Sequence, residues 1–163
     1  MPTPQTTEEQ LQHLIAHWLE QRESVSTCES CTGGYIASQL TSHAGSSHWF
    51  QGAIVSYQIE LKERLVHVPA ATIEQYGVVS REVAEAMASG VRQACRSTIS
   101  IATTGVAGPA GGTVETPVGT VCVAIDTPRG IYSARLQLTG SRQEIIRQTY
   151  GEVIDRLYHL ELQ

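Results

Sequence analysis

The stretch "ESCTGG" (29–34) brings together side chains that can do chemistry. Cys31 and the preceding Cys28 form a C-x-x-C pair, which in a βα setting is typical of a redox or metal site. Ser30 lies between the two thiols and is followed by a Gly-Gly pair, which lets a ligand approach the backbone. Free N–H groups at the start of a following helix can stabilise an oxyanion. The stretch therefore predicts either a thiol site or a serine site.

The thiol interpretation needs a nucleophilic cysteine at a helix N-terminus and a resolving partner, and the spacing of Cys28 and Cys31 fits both requirements. A metal site would normally need two more ligands in a compact pattern, whereas Cys95 and Cys122 stand alone. We therefore favour the simpler interpretation that both thiols pack around a tight turn. We expect neither a metal nor a cofactor.

The serine interpretation needs a base for the Ser30 hydroxyl, although the same hydroxyl can also be a simple helix N-cap. The six histidines fall in helical or loop segments away from the predicted strand ends. Lys62 is the better candidate, because it follows a strand end at Tyr57 by one to two helical turns. Lysine accepts a proton only when neutral, and serine–lysine pairs are an established variant of the triad. Spacing alone supports an exposed surface lysine equally well.

A second glycine-rich segment, "TGVAGPAGGTVETPVG" (104–119), follows another predicted strand. It lacks the G-K-[ST] ending of a P-loop, and no G-x-G-x-x-G opens a helix here. Successive backbone N–H groups in such a loop can form a nest for an anion. A long structural turn is the competing interpretation.

The elements that must position these segments alternate along the chain. Apolar spacing predicts an N-terminal helix with an acidic first turn at Glu8 and Glu9. Strands are predicted at 24–28, 52–57 and 98–103, helices at 32–41 and 59–65, two further helices after the N-cap residues Ser80 and Ser141, and a hairpin from 120–126 and 130–138.

This order predicts an α/β fold: a single three-layer α/β/α domain over residues 1–163, with a structured core of about 7–160 and a mixed, mostly parallel sheet. Ligands of such sheets collect at the carboxyl ends of the parallel strands. The two glycine-containing segments and "VSYQIELK" (55–62) all lie at predicted strand ends. Their convergence is the first indication of a functional site.

Composition restricts the class of protein further. With 41% hydrophobic and 17% charged residues, the chain is globular rather than disordered. A net charge of −5 argues against a nucleic-acid or anionic-membrane partner. No apolar run approaches the roughly 20 residues of a membrane span, and the N-terminus lacks the pattern of a signal peptide. We therefore expect a cytoplasmic protein with free thiols, and we expect it to form a homo-oligomer.

Four segments together resemble the CinA C-terminal domain family, over about residues 7–160. They are "ESCTGG" (29–34), "VSY....K" (55–62), "GVVSREVA" (77–84) and "TTGVAGPAGGTVETPVGTV" (103–121). Enzymatic members of this family are nicotinamide-nucleotide amidohydrolases. The resemblance implies metal-free hydrolysis of the carboxamide of nicotinamide mononucleotide, giving nicotinate mononucleotide and ammonia.

The resemblance also implies roles for individual residues. Ser30 would be the nucleophile and Lys62 its base, with Tyr57 assisting and Thr104 near the reacting centre. Arg142 would help to hold the anionic substrate. The other predicted substrate-binding residues, which would supply oxyanion and phosphate donors, are Thr32, Gly33, Gly34, Gly105, Gly108, Gly111, Gly112 and Thr113.

The chain departs from the family pattern at four positions, which are Gln58, Ile59, Thr116 and Ser141. We expect these changes to alter substrate contacts while sparing the Ser30–Lys62 pair. Two alternative functions follow from the same residues. One is a non-catalytic nucleotide-binding or regulatory module of the same fold, and the other is a thiol oxidoreductase that uses the C-x-x-C pair.

Overall fold

The structure, a computed structural model, describes all 163 residues. Its helices are α1 (Pro4–Gln21), α2 (Tyr35–Thr41), α3 (Ile59–Val66), α4 (Ala70–Tyr76), α5 (Arg81–Cys95) and α6 (Arg142–Leu162), with a 3-10 turn at Ser46–His48. Its strands are β1 (Val25–Glu29), β2 (Phe50–Val55), β3 (Ile99–Gly105), β4 (Thr120–Thr127) and β5 (Gly130–Gln137). None of the helices combines the length and the apolar character that crossing a membrane requires.

The five strands form one mixed sheet in the order β2-β1-β3-β4-β5. The strands β2, β1 and β3 pair in parallel, and β4 is antiparallel to both of its neighbours, so four of the five strands point the same way. Glu29, the last residue of β1, pairs with Val55 of β2 and Thr103 of β3. The carboxyl ends of these three strands therefore lie at one level of the sheet, as the convergence of motifs predicted.

Helices cover both faces of the sheet, which confirms the three-layer α/β/α prediction. One hydrophobic core packs α1, α2 and α6 on the sheet around residues such as Trp18, Ile36 and Leu157. The second core packs α3 and α5 on the opposite face around Met87 and Val91. Because β1 is central and covered on both sides, all five of its residues are buried.

Capping and close packing fix the helices that carry site residues. The predicted N-caps are confirmed: the Ser80 hydroxyl accepts from Val83 N–H, and Ser141 forms a reciprocal capping box with Glu144. Gly90 lets α5 approach α3 closely, because a Cβ there would collide with the main chain of Val66. This contact holds α3, the helix that carries the predicted base, against α5, which in turn packs on the sheet.

Two helix starts differ from the sequence prediction, and one helix was not predicted. The helix expected from residue 32 begins at Tyr35, because Gly33 and Gly34 adopt positive φ angles of 59° and 97° and form a turn instead. Helix α1 begins at Pro4, ahead of the expected acidic turn, because Thr3 caps it. Helix α4 was not predicted, since none of its residues is buried and it carries little apolar periodicity.

Candidate active site

The two predicted reacting residues meet at the carboxyl edge of the sheet. Ser30 directly follows β1 and is 8% exposed, while Lys62, on α3, is 1% exposed. The Lys62 Nζ donates to Ser30 Oγ at 2.9 Å. The fold thus joins residues from separate βα units into one pair, and it excludes the exposed-lysine interpretation.

Lys62 is buried without a carboxylate partner. Its Nζ donates to the main-chain oxygens of Ser56 at 2.6 Å and Tyr57 at 3.3 Å, and it forms no salt bridge. Burial lowers the pKa of Lys62 below its ordinary value of 10.5. In the neutral amine, two N–H bonds can serve the two carbonyls while the lone pair faces Ser30 Oγ. The arrangement can therefore accept a proton from the serine.

The turn that holds Ser30 is fixed by the main chain on both sides. Its N–H donates to Thr103 O at 3.0 Å, and its C=O accepts from Gly33 N–H at 3.0 Å. The left-handed backbone at Gly33 and Gly34 favours glycine, because a Cβ disfavours positive φ. The Gly-Gly pair therefore shapes the turn from Ser30 to Gly34 and delays the start of α2. We call this segment the nucleophile turn, after the predicted role of Ser30.

Glu29 is a site residue that the sequence argument missed. It is 0% exposed, and its carboxylate accepts from the N–H groups of Ile36 and Ala37, each at 2.9 Å. It also accepts from the hydroxyls of Thr32 at 2.7 Å and Thr27 at 3.1 Å. Four donors thus satisfy this buried anion, and it locks the turn onto the first residues of α2. Its acidic side chain before a helix start was the available signal.

This contact corrects the predicted source of the oxyanion donors. The first helical N–H groups of α2 are occupied by Glu29, and the Gly33 N–H is bonded to Ser30. The N–H groups of Thr32 and Gly34 donate to no oxygen of the chain. The donors free to face a developing oxyanion therefore lie in the turn before the helix.

Thr103, rather than the predicted Thr104, contacts the turn that holds Ser30. The Thr103 hydroxyl lies 2.8 Å from that of Thr32 and donates to it, since Thr32 gives its own proton to Glu29. Thr104, 1% exposed, donates to Val78 O at 2.9 Å and has no hydrogen bond to the reacting pair. Neighbouring strand residues point to opposite faces, so only Thr103 reaches the nucleophile turn.

Arg142 connects the other predicted residues. It is the first residue of α6, and its Nη1 donates to Gly108 O at 2.8 Å while its Nη2 donates to the Tyr57 hydroxyl at 2.9 Å. Tyr57 is 50% exposed, and it touches Lys62 only through its main-chain oxygen. The Tyr57 ring therefore positions Arg142 rather than the lysine.

The glycine-rich loop divides into a closed turn and an open stretch. Thr113 N–H donates to Thr116 O at 3.0 Å, and Thr113 Oγ1 accepts from Thr116 N–H at 3.0 Å. The predicted ligand Thr113 is therefore committed to its own turn. In contrast, the N–H groups of Gly108, Gly111 and Gly112 have no acceptor in the chain. Gly105 ends β3, and its own contact is steric: a Cβ there would lie 2.7 Å from Thr120 O.

The C-x-x-C pair is not a dithiol site. Cys28 packs in the core beneath α3 and α5, whereas Cys31 packs in the core beneath α1, α2 and α6. Both thiols are free, and burial raises the pKa of Cys28 to about 11 and that of Cys31 to about 12. Protonated, separated thiols contradict the oxidoreductase interpretation.

The four departures from the family pattern spare the reacting pair. Gln58 precedes α3 without a side-chain cap, Ile59 is 46% exposed, and Ser141 caps α6. Thr116 closes the turn with Thr113. None of the four side chains hydrogen-bonds Ser30 or Lys62, as expected.

A cleft of about 540 Å³ opens beside the nucleophile turn, between α2 and α6. Its lining includes Thr32, Gly33 and Gly34, and also Gln143 and Arg147 from α6. Arg147 was not predicted as a site residue. Its position one turn after the predicted Arg142, on the same N-terminal part of α6, was the available signal. The cleft thus adjoins the turn that follows Ser30 and contains a second exposed cation, although neither Ser30 nor Lys62 lines it.

The chain is similar in sequence to known proteins of one family. The chain is 42% identical over 152 residues to a "CinA-like protein" of Amoebophilus asiaticus, covering 93% of this chain and 36% of that protein. It is 46% identical over 134 residues to a "CinA-like protein" of Gemmatimonas aurantiaca, covering 82% of this chain and 31% of that protein. The chain thus spans about a third of the length of these curated relatives.

Solved structures of similar length share the fold. The competence/damage inducible protein CihA of Agrobacterium tumefaciens matches with a TM-score of 0.90 and 35% identity, covering 94% of each chain. A competence-damaged protein (CinA) superfamily protein of Escherichia coli matches with a TM-score of 0.92 and 28% identity, over 98% of this chain and 93% of that one. The family model of the CinA C-terminal domain matches residues 7–160. The chain therefore belongs to the CinA C-terminal domain family.

Proposed function

We propose that this chain hydrolyses the carboxamide of nicotinamide mononucleotide to nicotinate mononucleotide and ammonia. The observation that carries the proposal is the 2.9 Å contact between Ser30 Oγ and the Nζ of a buried Lys62 without a carboxylate partner. A serine beside a lysine of lowered pKa is an arrangement used for acyl transfer. The choice of substrate rests on the resemblance to the enzymatic members of the family.

In the first step, neutral Lys62 takes the proton of Ser30 while Ser30 Oγ attacks the amide carbon. The oxygen of the amide gains negative charge as the tetrahedral intermediate forms. The unpaired N–H groups of Thr32 and Gly34 are the proposed donors to that oxygen. Glu29 supports this step indirectly, because it holds Thr32 and the start of α2 in place.

In the second step, the Lys62 ammonium returns its proton to the departing nitrogen, and ammonia leaves. Water then attacks the acyl carbon while Lys62 takes a proton from it. As the bond between Ser30 Oγ and the acyl carbon breaks, the Lys62 ammonium gives this proton to Oγ, which releases nicotinate mononucleotide and restores the Ser30 hydroxyl and neutral Lys62. The carbonyls of Ser56 and Tyr57 hold Lys62 in both protonation states, because they accept from its N–H bonds throughout. The cycle needs no group beyond the chain and water.

The substrate phosphate is an anion, and two sets of donors suit it. Arg142 and the unpaired N–H groups of Gly108, Gly111 and Gly112 form one set at the glycine-rich loop. Arg147 provides a second cation at the cleft beside Gly34. We assign the phosphate to the loop and Arg142, because three unpaired main-chain donors are available there, whereas the unpaired N–H groups near Arg147 are the proposed oxyanion donors.

The test is product analysis after incubation of the purified protein with nicotinamide mononucleotide. The wild type is expected to release ammonia and nicotinate mononucleotide in equal amounts. Ser30→Ala should lower this rate by about 10³-fold or more, because it removes the covalent nucleophile. Calorimetric binding of the substrate should persist, since phosphate and ring contacts come from other residues.

The matched control is Ser47→Ala, which changes an exposed serine of the 3-10 turn Ser46–His48 that lies outside the cleft. It should retain wild-type turnover. Ammonia release by Ser30→Ala above a tenth of the wild-type rate would show that serine is not the nucleophile. Substrate binding without turnover in the wild type would favour the non-catalytic nucleotide-binding module instead.

A further inference from the structure

A second cluster of ionisable side chains lies at the other end of β1 from Ser30. His17 is on the last turns of α1, Glu23 is between α1 and β1, and Glu161 is on the last turn of α6. One ligand atom of each residue lies within 4.8 Å of the others. His17 and Glu23 are close in sequence, but Glu161 lies near the other end of the chain, so no motif announces the cluster.

Each carboxylate of this cluster has a buried oxygen without a hydrogen-bond donor, although the Glu23 side chain as a whole is 21% exposed. The Glu161 side chain is 1% exposed, and its Oε1 pairs with Arg129 Nη2 at 2.6 Å. The Oε2 atoms of Glu161 and Glu23 are buried and accept no hydrogen bond. Each instead faces His17 Nε2 at 3.8 Å, which is too long for a hydrogen bond. Buried carboxylate oxygens without donors are costly unless a cation or proton compensates them.

The charges around the cluster also leave room for a further cation. Two carboxylates face a single guanidinium, that of Arg129, which leaves an excess negative charge when His17 is neutral. Burial, together with the nearby charge of Glu161, raises the pKa of Glu23 above its ordinary value of 4.5. The cluster therefore lacks one positive charge between the two Oε2 atoms and the imidazole.

We propose that His17, Glu23 and Glu161 bind a divalent transition-metal cation, with Zn²⁺ as the best match. Imidazole nitrogen and carboxylate oxygen are both zinc ligands, and water would complete the coordination of an ion held by these three side chains. Zinc–ligand distances of about 2.0–2.2 Å separate neighbouring ligand atoms by about 3.3 Å in a tetrahedron. His17 Nε2 lies 3.8 Å from each Oε2 atom, and all three ligand atoms lie within 4.8 Å of one another. Ligation of one ion would therefore need these atoms to close in by about 0.5–1.5 Å. Ca²⁺ and Mg²⁺ fit less well, because they prefer six or more oxygen ligands.

Such a site would be structural rather than catalytic. It would join the end of α1, the entry to β1 and the end of α6, while Arg129 brings in the β4–β5 turn. Glu161 can serve both partners at once, since its Oε1 binds Arg129 and its Oε2 faces the proposed metal. Because Ser30 follows β1 and Glu23 precedes it, zinc binding and amide hydrolysis are separate properties of the chain.

The test measures zinc binding by calorimetry and the midpoint of thermal unfolding at several free Zn²⁺ concentrations, after removal of metal with a chelator. The wild type should bind one Zn²⁺, and its midpoint should rise with the logarithm of free Zn²⁺. His17→Gln and, as a second variant, Glu23→Gln should weaken binding at least tenfold and abolish the rise. Mg²⁺ at the same concentrations should have no such effect.

The matched control is His13→Gln, one helical turn earlier on α1, which removes an exposed imidazole that stacks on Tyr158. It should bind Zn²⁺ as the wild type does. Wild-type protein without zinc-dependent stabilisation, or His17→Gln with unchanged affinity, overturns the proposal. A midpoint that responds only to acidification would assign the missing charge to a protonated His17 instead. Turnover of nicotinamide mononucleotide should be equal in His17→Gln and wild type.

Discussion

Glu29 and Glu161 are both buried glutamates at opposite ends of the central strand β1. Glu29 is the last residue of β1, and Glu161, on α6, lies near the residues that precede β1. Glu29 accepts four hydrogen bonds, two of them from the first N–H groups of α2. Glu161 has one ion pair, and its second oxygen accepts nothing. At the active-site end the chain satisfies its own buried charge, whereas at the other end it leaves capacity for a further cation.

The comparison teaches that burial of a charge has two different uses here. Satisfied by two main-chain N–H groups and two threonine hydroxyls, Glu29 holds the nucleophile turn against the start of α2. Unsatisfied, the pair of Glu23 and Glu161 stores unfavourable electrostatic energy that a bound cation would relieve. Lys62 belongs to the first type, since carbonyls satisfy it without supplying a counter-charge.

The largest effect is expected from Lys62→Arg. A guanidinium stays protonated and cannot accept the serine proton, so turnover should fall by about 10²–10⁴-fold. In the wild type, activity should rise with pH as Lys62 loses its proton, with an apparent pKa below 10.5. A pH-rate profile of ammonia release checks both statements. An arginine variant with wild-type turnover would refute the assignment of the base.

The same lowered pKa also fixes the sign of a stability effect. Between the folded pKa of Lys62 and its ordinary 10.5, the unfolded chain binds more protons than the folded one. The free energy of unfolding contributed by this group is therefore lost as the pH falls through the folded pKa. Denaturant titrations of the wild type and Lys62→Met at several pH values should show the difference.

The next effect is expected from Glu29→Gln, which breaks the satisfied end of the comparison. An amide turns an NH₂ group toward donors, so at least one buried N–H group of Ile36 or Ala37 loses its acceptor. The loss should be about 2–3 kcal/mol of unfolding free energy. The value of kcat should fall more than KM rises, because the turn after Ser30 loosens. Urea unfolding and steady-state kinetics measure the two quantities.

The control for this change is Glu144→Gln in the exposed capping box of α6. Its carboxylate also accepts a main-chain hydrogen bond, from Ser141 N–H, yet it is exposed to water, so the loss of stability should be clearly smaller than for Glu29→Gln. A Glu29→Gln variant as stable as this control would mean that the buried carboxylate does not hold the turn.

A smaller effect is expected from Cys28→Ser combined with Cys31→Ser. Both thiols are protonated and lie in separate cores, so most deamidase activity should remain, as it should after exhaustive treatment with EDTA. Burying two hydroxyls should lower stability modestly, by about 1–3 kcal/mol. Ammonia release by the folded double variant is the measurement, and abolished turnover would contradict the prediction.

The smallest effect, and one of opposite sign, is expected from Glu23→Gln in metal-free protein. The pKa of Glu23 is raised on folding, so its ionisation lowers stability as the pH rises through the folded value. Removing that charge at neutral pH should leave stability unchanged or raise it by less than about 1 kcal/mol, given partial exposure of the side chain. A clear loss of stability in the presence of chelator would mean that the Glu23 carboxylate stabilises the metal-free fold, as Glu29 does at the other end of β1.

The sequence alone determined the elements whose signals are local. Alternating strand and helix patterns predicted the three-layer mixed sheet, and Ser80 and Ser141 marked helix starts that the structure contains. The motifs of Ser30 and Lys62 both follow strand ends, and this position predicted that the two residues would meet, because parallel strands end at a common edge. These features depend on residues close in sequence or on topology, and both can be deduced from a pattern.

Only the tertiary structure decided how polar atoms are paired. Which side chain caps α2, which threonine supports Ser30, and whether Thr113 is free all depend on contacts between segments. The cluster of His17, Glu23 and Glu161 joins both ends of the chain, and no spacing rule connects them. Hydrogen bonds and charges act over a few ångströms in space, whatever the separation in sequence, so their partners become known only once the chain is folded.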